Sequence, residues 1–279
     1  MDSILITTYN RPDYLRLCLE YLSRAEGIQN KEILVYVDRG RVLVREFYEV
    51  FRDFPTLNIS SVFRSEHDYH GNSFNTLEAY KDAFQSDARY VYLIEDDVLV
   101  TPDFFRWHER VQEREDLMCS VAYRCSRNPA VLKIEDAEAY LLSGQDYASI
   151  GVCWRREKLA PIIEHARTEY YENLDGYLKK HFPNNRFSNC FTEQDGLIMR
   201  VMDKMHGVVA WPFVPRCYHV GFASYNRPKS SRLNYVELKE TIHNMEKIRQ
   251  TDKDFGDIEM VPIDMNLKWK TLKCEQRFN

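Results

Sequence analysis

The sequence has no Gly-x-Gly-x-x-Gly after its first apolar run and no Gly-x-x-x-x-Gly-Lys-Ser/Thr anywhere, so it lacks both the dinucleotide-binding fingerprint and the phosphate-binding P-loop. Any phosphate held by this chain must be held another way. There is no Cys-x-x-Cys pair either. Cys18, Cys119, Cys125, Cys153, Cys190, Cys217 and Cys274 are scattered and odd in number, which signals neither a zinc site nor a disulfide framework. No apolar run approaches the ~20 residues needed to cross a bilayer. Met1-Asp2-Ser3 lead straight into a core-like strand, leaving no room for a signal or transit peptide, and a reducing cytoplasm is the expected compartment. Internal repeats and low-complexity segments are also missing. The net charge of −5 gives no global drive toward nucleic acid.

What is present is the composition of a folded protein: 44% hydrophobic and 29% charged residues over 279 positions, enough to bury a sizeable core. The first hundred residues alternate strands and helices at the spacing of βαβ units, which predicts an α/β fold with a mostly parallel sheet covered by helices on both faces. Strands are expected over Ile4–Thr8, Glu32–Val37, Leu57–Phe63 and from Tyr90 on. Helices are expected from Pro12, over Val42–Phe54 and over Ser73–Phe84. Beyond residue 97 the pattern loosens. It gives a helix from Pro102 to about Glu115 and strands near Met118–Tyr123, Ala139–Leu142 and Ile150–Trp154. Helical patterns follow over Arg155–Ala166, Asn173–His181 and Glu193–Met205. Val208–Tyr218 reads as one strand broken by Pro212 and Pro215. An amphipathic helix from about Asn234 to Gln250 and an aperiodic, locally basic tail complete the chain.

The most informative stretch is Tyr90-Val-Tyr-Leu-Ile-Glu-Asp-Asp97, an apolar strand that ends in three adjacent carboxylates. Like charges side by side cost free energy unless something positive offsets them, and hard oxygen ligands favour Mg²⁺ or Mn²⁺. The plainer reading is an acidic, solvated strand end ahead of a helix. In open α/β sheets ligands gather at the carboxyl ends of the strands, so the residues following each strand form one candidate surface. Those residues are Thr8, Tyr9, Asn10 and Arg11 after strand one, Asp38 and Arg39 after strand two, Arg64 through Asn72 (His70 included) after strand three, and Glu95, Asp96 and Asp97 after strand four. They offer an aromatic face for a base, polar groups for its edge, cations for phosphates and a metal site, though each alone reads equally well as turn, packing or surface chemistry.

Taken together these residues resemble the metal-dependent, nucleotide-sugar glycosyltransferases of the GT-A fold. Ile4-Leu-Ile-Thr-Thr-Tyr-Asn-Arg-Pro12 is similar to that family's opening strand and nucleoside loop, Asp38 to its base-contacting acid and Tyr92-Leu-Ile-Glu-Asp-Asp97 to its acidic metal motif. The Glu-Asp-Asp form, followed by Thr-Pro-Asp-Phe-Phe, is most similar to the inverting N-acetylglucosaminyltransferase I type. The resemblance covers residues 3 to 224 in outline. It implies a GT-A sheet with a nucleotide-sugar-binding half (1–115), an acceptor-binding and catalytic half (116–226) and a C-terminal helical extension (227–279).

Later motifs extend the likeness. Tyr147-Ala-Ser-Ile-Gly-Val-Cys-Trp154 looks like the small-residue strand beneath donor and acceptor. Within Thr192-Glu-Gln-Asp-Gly196, Asp195 matches the position of the general base, with Glu193 as the nearby alternative; the competing reading is ordinary helix N-terminal charge capped by Thr192. Pro215-Arg-Cys-Tyr-His-Val-Gly221 resembles the segment that closes over the donor, where His219 would join Asp97 on the metal or serve only as a core histidine. The resemblance thus implies Mn²⁺ or Mg²⁺, a uridine-based nucleoside diphosphate sugar as donor, a hydroxyl acceptor and inversion. Arg64, His70 and Asn72 are candidate donor contacts, and Arg216–Asn226 a candidate lid. Unlike a Golgi enzyme the chain shows no anchor or stem, which points to a bacterial or viral protein and leaves a glycoprotein acceptor open to question. The acceptor is a glycan or a hydroxymethylated DNA base as in phage enzymes, the latter drawing on Arg227, Lys229, Arg232 and the basic tail. A nucleotidyltransferase and a non-catalytic nucleotide-sugar-binding module stand as alternatives.

Overall fold

A computed structural model describes residues 1–38, 44–64, 69, 71–123, 139–143, 147–183, 192–212, 215–221 and 269–271. The expectations for Arg39, His70, Arg227, Lys229, Arg232, the 234–250 helix and most of the basic tail lie outside these residues.

Four parallel strands form one half of a nine-stranded sheet. They are β1 (Asp2–Thr8), β2 (Lys31–Val37), β3 (Ile59–Phe63) and β4 (Tyr90–Glu95), linked by α1 (Pro12–Leu22), α2 (Val44–Arg52) and α3 (Gly71–Phe84). Pro12 suits the first turn of α1 because it brings a fixed φ and lacks an N–H that would be unpaired there. In space these strands run β3-β2-β1-β4, so the order reverses between β1 and β4. A crevice at the carboxyl ends of the two strands is the usual binding place in such a sheet.

The second half mixes directions. β6 (Leu117–Val121) and β9 (Val208–Pro212) are parallel to one another, while β8 (Val152–Arg155) runs antiparallel between β4 and β6. β7 (Ala139–Ser143) pairs antiparallel with β9, and β11 (Trp269–Thr271) adds to its outer edge in parallel. The result is the mostly parallel, helix-flanked sheet expected from the sequence.

Side-chain alternation distributes the core over both faces. Leu5, Val91 and Leu93 pack with α3, α7 (Leu174–His181) and α8 (Gln194–Lys204). Ile4, Ile6, Tyr92 and Ile94 pack with α1, α2 and α4 (Phe104–Val111). Val91 through Ile94 are completely inaccessible. At about 1.5–3 kcal/mol for each large apolar side chain buried, this strand can offset an unfavourable charge cluster at its end.

Three departures from the sequence reading matter. Val98–Val100 forms a short strand, β5, between the acids and α4, which begins at Phe104 rather than Pro102. Arg155–Ala166 is a 3₁₀ turn over Arg156–Leu159 followed by the single-turn α5 (Ala160–Ile163), and a five-residue α6 (Thr168–Glu172) comes after it. The expected broken strand over 208–218 is two strands in different sheets: β9 stays in the main sheet, while β10 (Cys217–His219) pairs antiparallel with β5, setting His219 opposite Val98. Pro212 and Pro215 explain the change of course, because proline cannot donate to a ladder.

A buried ion pair fixes this crossing. Arg216 lies 3.1 Å from Asp103 through Nε, and its carbonyl accepts from the Thr101 amide and hydroxyl. Removing one member of a buried pair leaves an uncompensated charge, so Arg216→Ala is expected to lower the unfolding free energy by about 3–5 kcal/mol. Arg216→Met combined with Asp103→Leu should lose distinctly less. Denaturant titration of both variants checks this.

Candidate functional site

β1 and β4 are in register from Ser3–Val91 to Thr7–Glu95, which puts Thr8 beside the acids. Asp96 is fully buried. It accepts a 2.6 Å bond from the Thr8 hydroxyl and is gripped through both oxygens by the Arg11 guanidinium, with Nε 3.2 Å from Oδ2. Arg11 also donates through Nη1 to Asp97 Oδ2 at 2.9 Å, and its guanidinium lies 5.0 Å from the Tyr14 ring. Burial pushes the Asp96 carboxyl up, while Arg11 and the Thr8 hydroxyl pull it down.

Asp97 faces two ways. Its Oδ2 is taken by Arg11; its Oδ1 is buried, has no hydrogen-bond partner and lies 3.6 Å from His219 Nε2. Glu95, Asp97 and His219 each present a ligand atom within 4.8 Å of the other two. Burial raises the Glu95 carboxyl well above its ordinary range, reinforced by the charges of Asp97, Asp195 and Asp96. Two carboxylates and an imidazole suit a hard-to-borderline divalent ion. At metal–ligand distances of about 2.1 Å, opposed ligands stand about 4.2 Å apart, so side-chain rotations of a few tenths of an ångström close the set. The third element of the cradle is Gly221, where a Cβ would lie 2.6 Å from Asp97 Oδ2 and 2.9 Å from His219 Nε2. Only glycine leaves that space open. The orphaned oxygen and this cradle are what make the residues fit a cation.

The rim of the crevice is built from β1, β2 and α3. Tyr9 is 39% exposed, enough to leave an aromatic face accessible. The Asp38 amide donates to Thr8 O at 2.9 Å, and its carboxylate sits over the start of α3. Gly71 opens that helix of necessity, since a Cβ there would be 2.1 Å from Asp38 Oδ2. Asn72 is exposed in the first turn. Arg64 follows β3, but its guanidinium engages Asn75 Oδ1 at 3.1 Å and Asp82 Oδ2 at 3.4 Å and lies over the Tyr36 and Phe74 rings.

On the opposite side, Asp195 lies in the first turn of α8, and the N-cap position is Glu193 rather than Thr192. Ser73 ties this turn to α3 by accepting from the Gln194 amide at 3.0 Å. Asp195 Oδ2 accepts from the Ser149 hydroxyl at 3.3 Å and its carboxylate also accepts from the Ser149 amide, while Oδ1 is buried with no hydrogen-bond partner. Burial raises this carboxyl to about 6. A carboxylate so placed is ionised at neutral pH yet basic enough to accept a proton.

The structure therefore brings Thr8, Arg11, Glu95, Asp96, Asp97 and His219 into one connected cluster. Sequence reasoning missed two contributors, Ser149 as partner of Asp195 and Gly221 as the cradle, and it put Glu95 on the donor rather than beside Asp97 and His219. Signals for them existed. Ser149 lies in the small-residue segment already singled out, and Gly221 is one of only ten glycines in the chain, two positions from His219.

Comparison with known proteins adds the following. The family model described as glycosyltransferase like family 2 matches residues 3–216. The mannosyltransferase PcManGT from Pyrobaculum calidifontis, solved in complex with GDP-Man and Mn²⁺, aligns with a TM-score of 0.50 at 12% identity, covering 89% of this chain and 69% of its own. S. aureus TarS 1–349 aligns with a TM-score of 0.48 at 13% identity over 76% of this chain and 58% of its own. The matches span 47% and 58% of the TarS chains. At such identities the likeness is one of fold. No curated protein matches the sequence.

Asp195 holds its proton more tightly folded than unfolded, so stability falls as pH rises from its ordinary value of 3.8 to about 6, and the cost is fully present above that. Asp195→Asn is expected to stabilise the protein at pH 7.5 by up to about 3 kcal/mol, with the gain vanishing near pH 3.5. Thermal melts at the two pH values check the sign.

Proposed function

The chain belongs to the glycosyltransferase like family 2, and on that premise we propose that it transfers a sugar from a uridine diphosphate donor to a hydroxyl acceptor with inversion at the anomeric carbon. The observation that carries the metal-dependent form of this reading is the buried, unpartnered Asp97 Oδ1 facing Glu95 and His219. Those three residues would hold Mn²⁺ or Mg²⁺. The cation, when bound, neutralises charge developing on the departing diphosphate.

The remaining roles belong to side chains of this protein. Tyr9 and Asp38 flank the crevice and would contact the nucleoside, Tyr9 by its exposed ring and Asp38 by its carboxylate. Asn10 and Asn72 would contact the rest of the donor, Glu95 would reach it through the cation, and Arg64 would do so only by leaving Asn75 or Asp82. Asp195 would take the proton from the acceptor hydroxyl as that oxygen bonds to the anomeric carbon. The carbon–phosphate-oxygen bond breaks at the same time, and the diphosphate leaves with its electron pair. The 3.3 Å bond from Ser149 supports this role by orienting the base and leaving Oδ1 for the acceptor. Glu193, two residues earlier, is the alternative base. Holding donor and acceptor in line supplies much of the rest of the rate.

The Glu-Asp-Asp motif alone carries the proposed N-acetylglucosaminyltransferase I likeness within the family; that type does not need the histidine, so His219 adds nothing to it. For the acceptor, a glycan and a hydroxymethylated DNA base both remain in the proposal, separated by whether binding to duplex DNA rises as salt falls. No described helix is long and apolar enough to cross a membrane.

Asp97→Ala is expected to abolish Mn²⁺-dependent binding of the nucleotide sugar in calorimetry. Asp195→Asn should keep that binding and lower the transfer rate by about 10²–10⁴-fold. Equal transfer by wild type and Asp195→Asn would remove the base assignment; metal-independent donor binding would remove the cation.

A further inference from the structure

We propose that Arg11 is the resident counter-cation of the acidic strand end: it holds the metal-free site together and competes with an incoming divalent ion for Asp97. The inference rests on the cation-site reading given above and assigns Arg11 to the carboxylates rather than to the donor. Arg11 touches both Asp96 and Asp97 through three nitrogens, Nε and Nη2 on Asp96 and Nη1 on Asp97. A planar fork can bridge two carboxylates in this way, whereas an ammonium is a single point charge.

This grip has two consequences. By taking Asp97 Oδ2, Arg11 turns Oδ1 toward Glu95 and His219, which makes it a positioning residue for the candidate ligand. Its charge also offsets carboxylates that would otherwise face one another in a largely buried corner, since Asp96 is 0% and Asp97 4% exposed. The two effects oppose each other in metal binding. Orientation favours the ion; a fixed positive charge on the same carboxylate repels it. For a doubly charged ion a few ångström away the Coulomb term is the larger, so losing Arg11 should tighten binding of the bare metal. The same loss should weaken the fold when no metal is present.

The test uses Mn²⁺ alone, without nucleotide, on wild type, Arg11→Ala, Arg11→Lys and the double variant Arg11→Ala with Asp96→Asn. Calorimetry gives the affinity and thermal melts give the stability. Arg11→Ala is expected to melt lower than wild type without metal, to bind Mn²⁺ about tenfold more tightly, and to gain more in melting temperature on adding it. Arg11→Lys should fall between the two, and the double variant should recover most of the metal-free stability because charge is removed in balance. If Arg11→Ala folds only with Mn²⁺ present while the double variant folds without it, the proposal is equally supported. An unchanged metal-free melting temperature, or weaker Mn²⁺ binding in Arg11→Ala, overturns it. If no variant responds to Mn²⁺, wild type included, the cation site itself is wrong, a failure distinct from a responsive wild type with an unaltered Arg11→Ala.

Discussion

Glu95, Asp96 and Asp97 leave a buried strand side by side, and the mutual repulsion of their carboxylates is the constraint that the surrounding structure answers. Each acid is met differently. Asp96 turns into the protein, where the Thr8 hydroxyl and Arg11 bond both its oxygens and offset part of the cost of its burial. Asp97 is half compensated, with one oxygen on Arg11 and the other left bare beside His219. Glu95 keeps partial solvent contact and is held near its proton by burial and by neighbouring negative charge. A cluster satisfied at one residue and unsatisfied at the next is not a generic acidic surface. Buried polar atoms are normally paired, and the bare Asp97 Oδ1 is the exception on which the proposed cation rests.

The frame explains why the cluster can exist where it does. β4 sits between β1 and β8 with its apolar residues inaccessible, so its carboxyl end is held by the whole sheet and not by a loop. The reversal of strand order between β1 and β4 opens the crevice at that end. β10 then closes one side: its pairing with β5, the Val220 amide bonded to Asp97 O at 2.8 Å and the Arg216–Asp103 pair together bring His219 back to residues more than a hundred positions earlier. α8 closes the other, tied to α3 by Ser73 and Gln194, with Asp195 in its first turn. The metal-ligand candidates and the candidate base thus reach the crevice from separate, rigid elements, an arrangement that fixes geometry better than a single loop would.

Local chemistry was legible in the sequence; long-range pairing was not. The βαβ rhythm of the first hundred residues pointed to the parallel half of the sheet because its elements are periodic and two of their boundaries are marked by Pro12 and Pro55. The three acids were legible because they follow directly on an apolar strand, at the end of a sheet where ligands gather. By contrast Val98–Val100 is too short to carry a period, and it is a strand only because Cys217–His219 pairs with it. Trp269–Thr271 is a strand only because β7 offers an edge. Arg11 read as a cation for phosphate, since nothing local to Asn10-Arg11-Pro12 shows that carboxylates some 85 residues away will occupy it. Ser149 and Gly221 lay within singled-out segments, but their roles exist only through Asp195 and Asp97 in space.

The most direct measurement of the central claim is anomalous diffraction from crystals of the full chain grown with Mn²⁺ and uridine diphosphate. One strong anomalous peak is expected, bonded to Asp97 Oδ1 at about 2.0–2.2 Å, with His219 or Glu95 and the diphosphate as further ligands. Nucleotide bound in the crevice with no peak at Asp97, or a peak held by other residues, would contradict it.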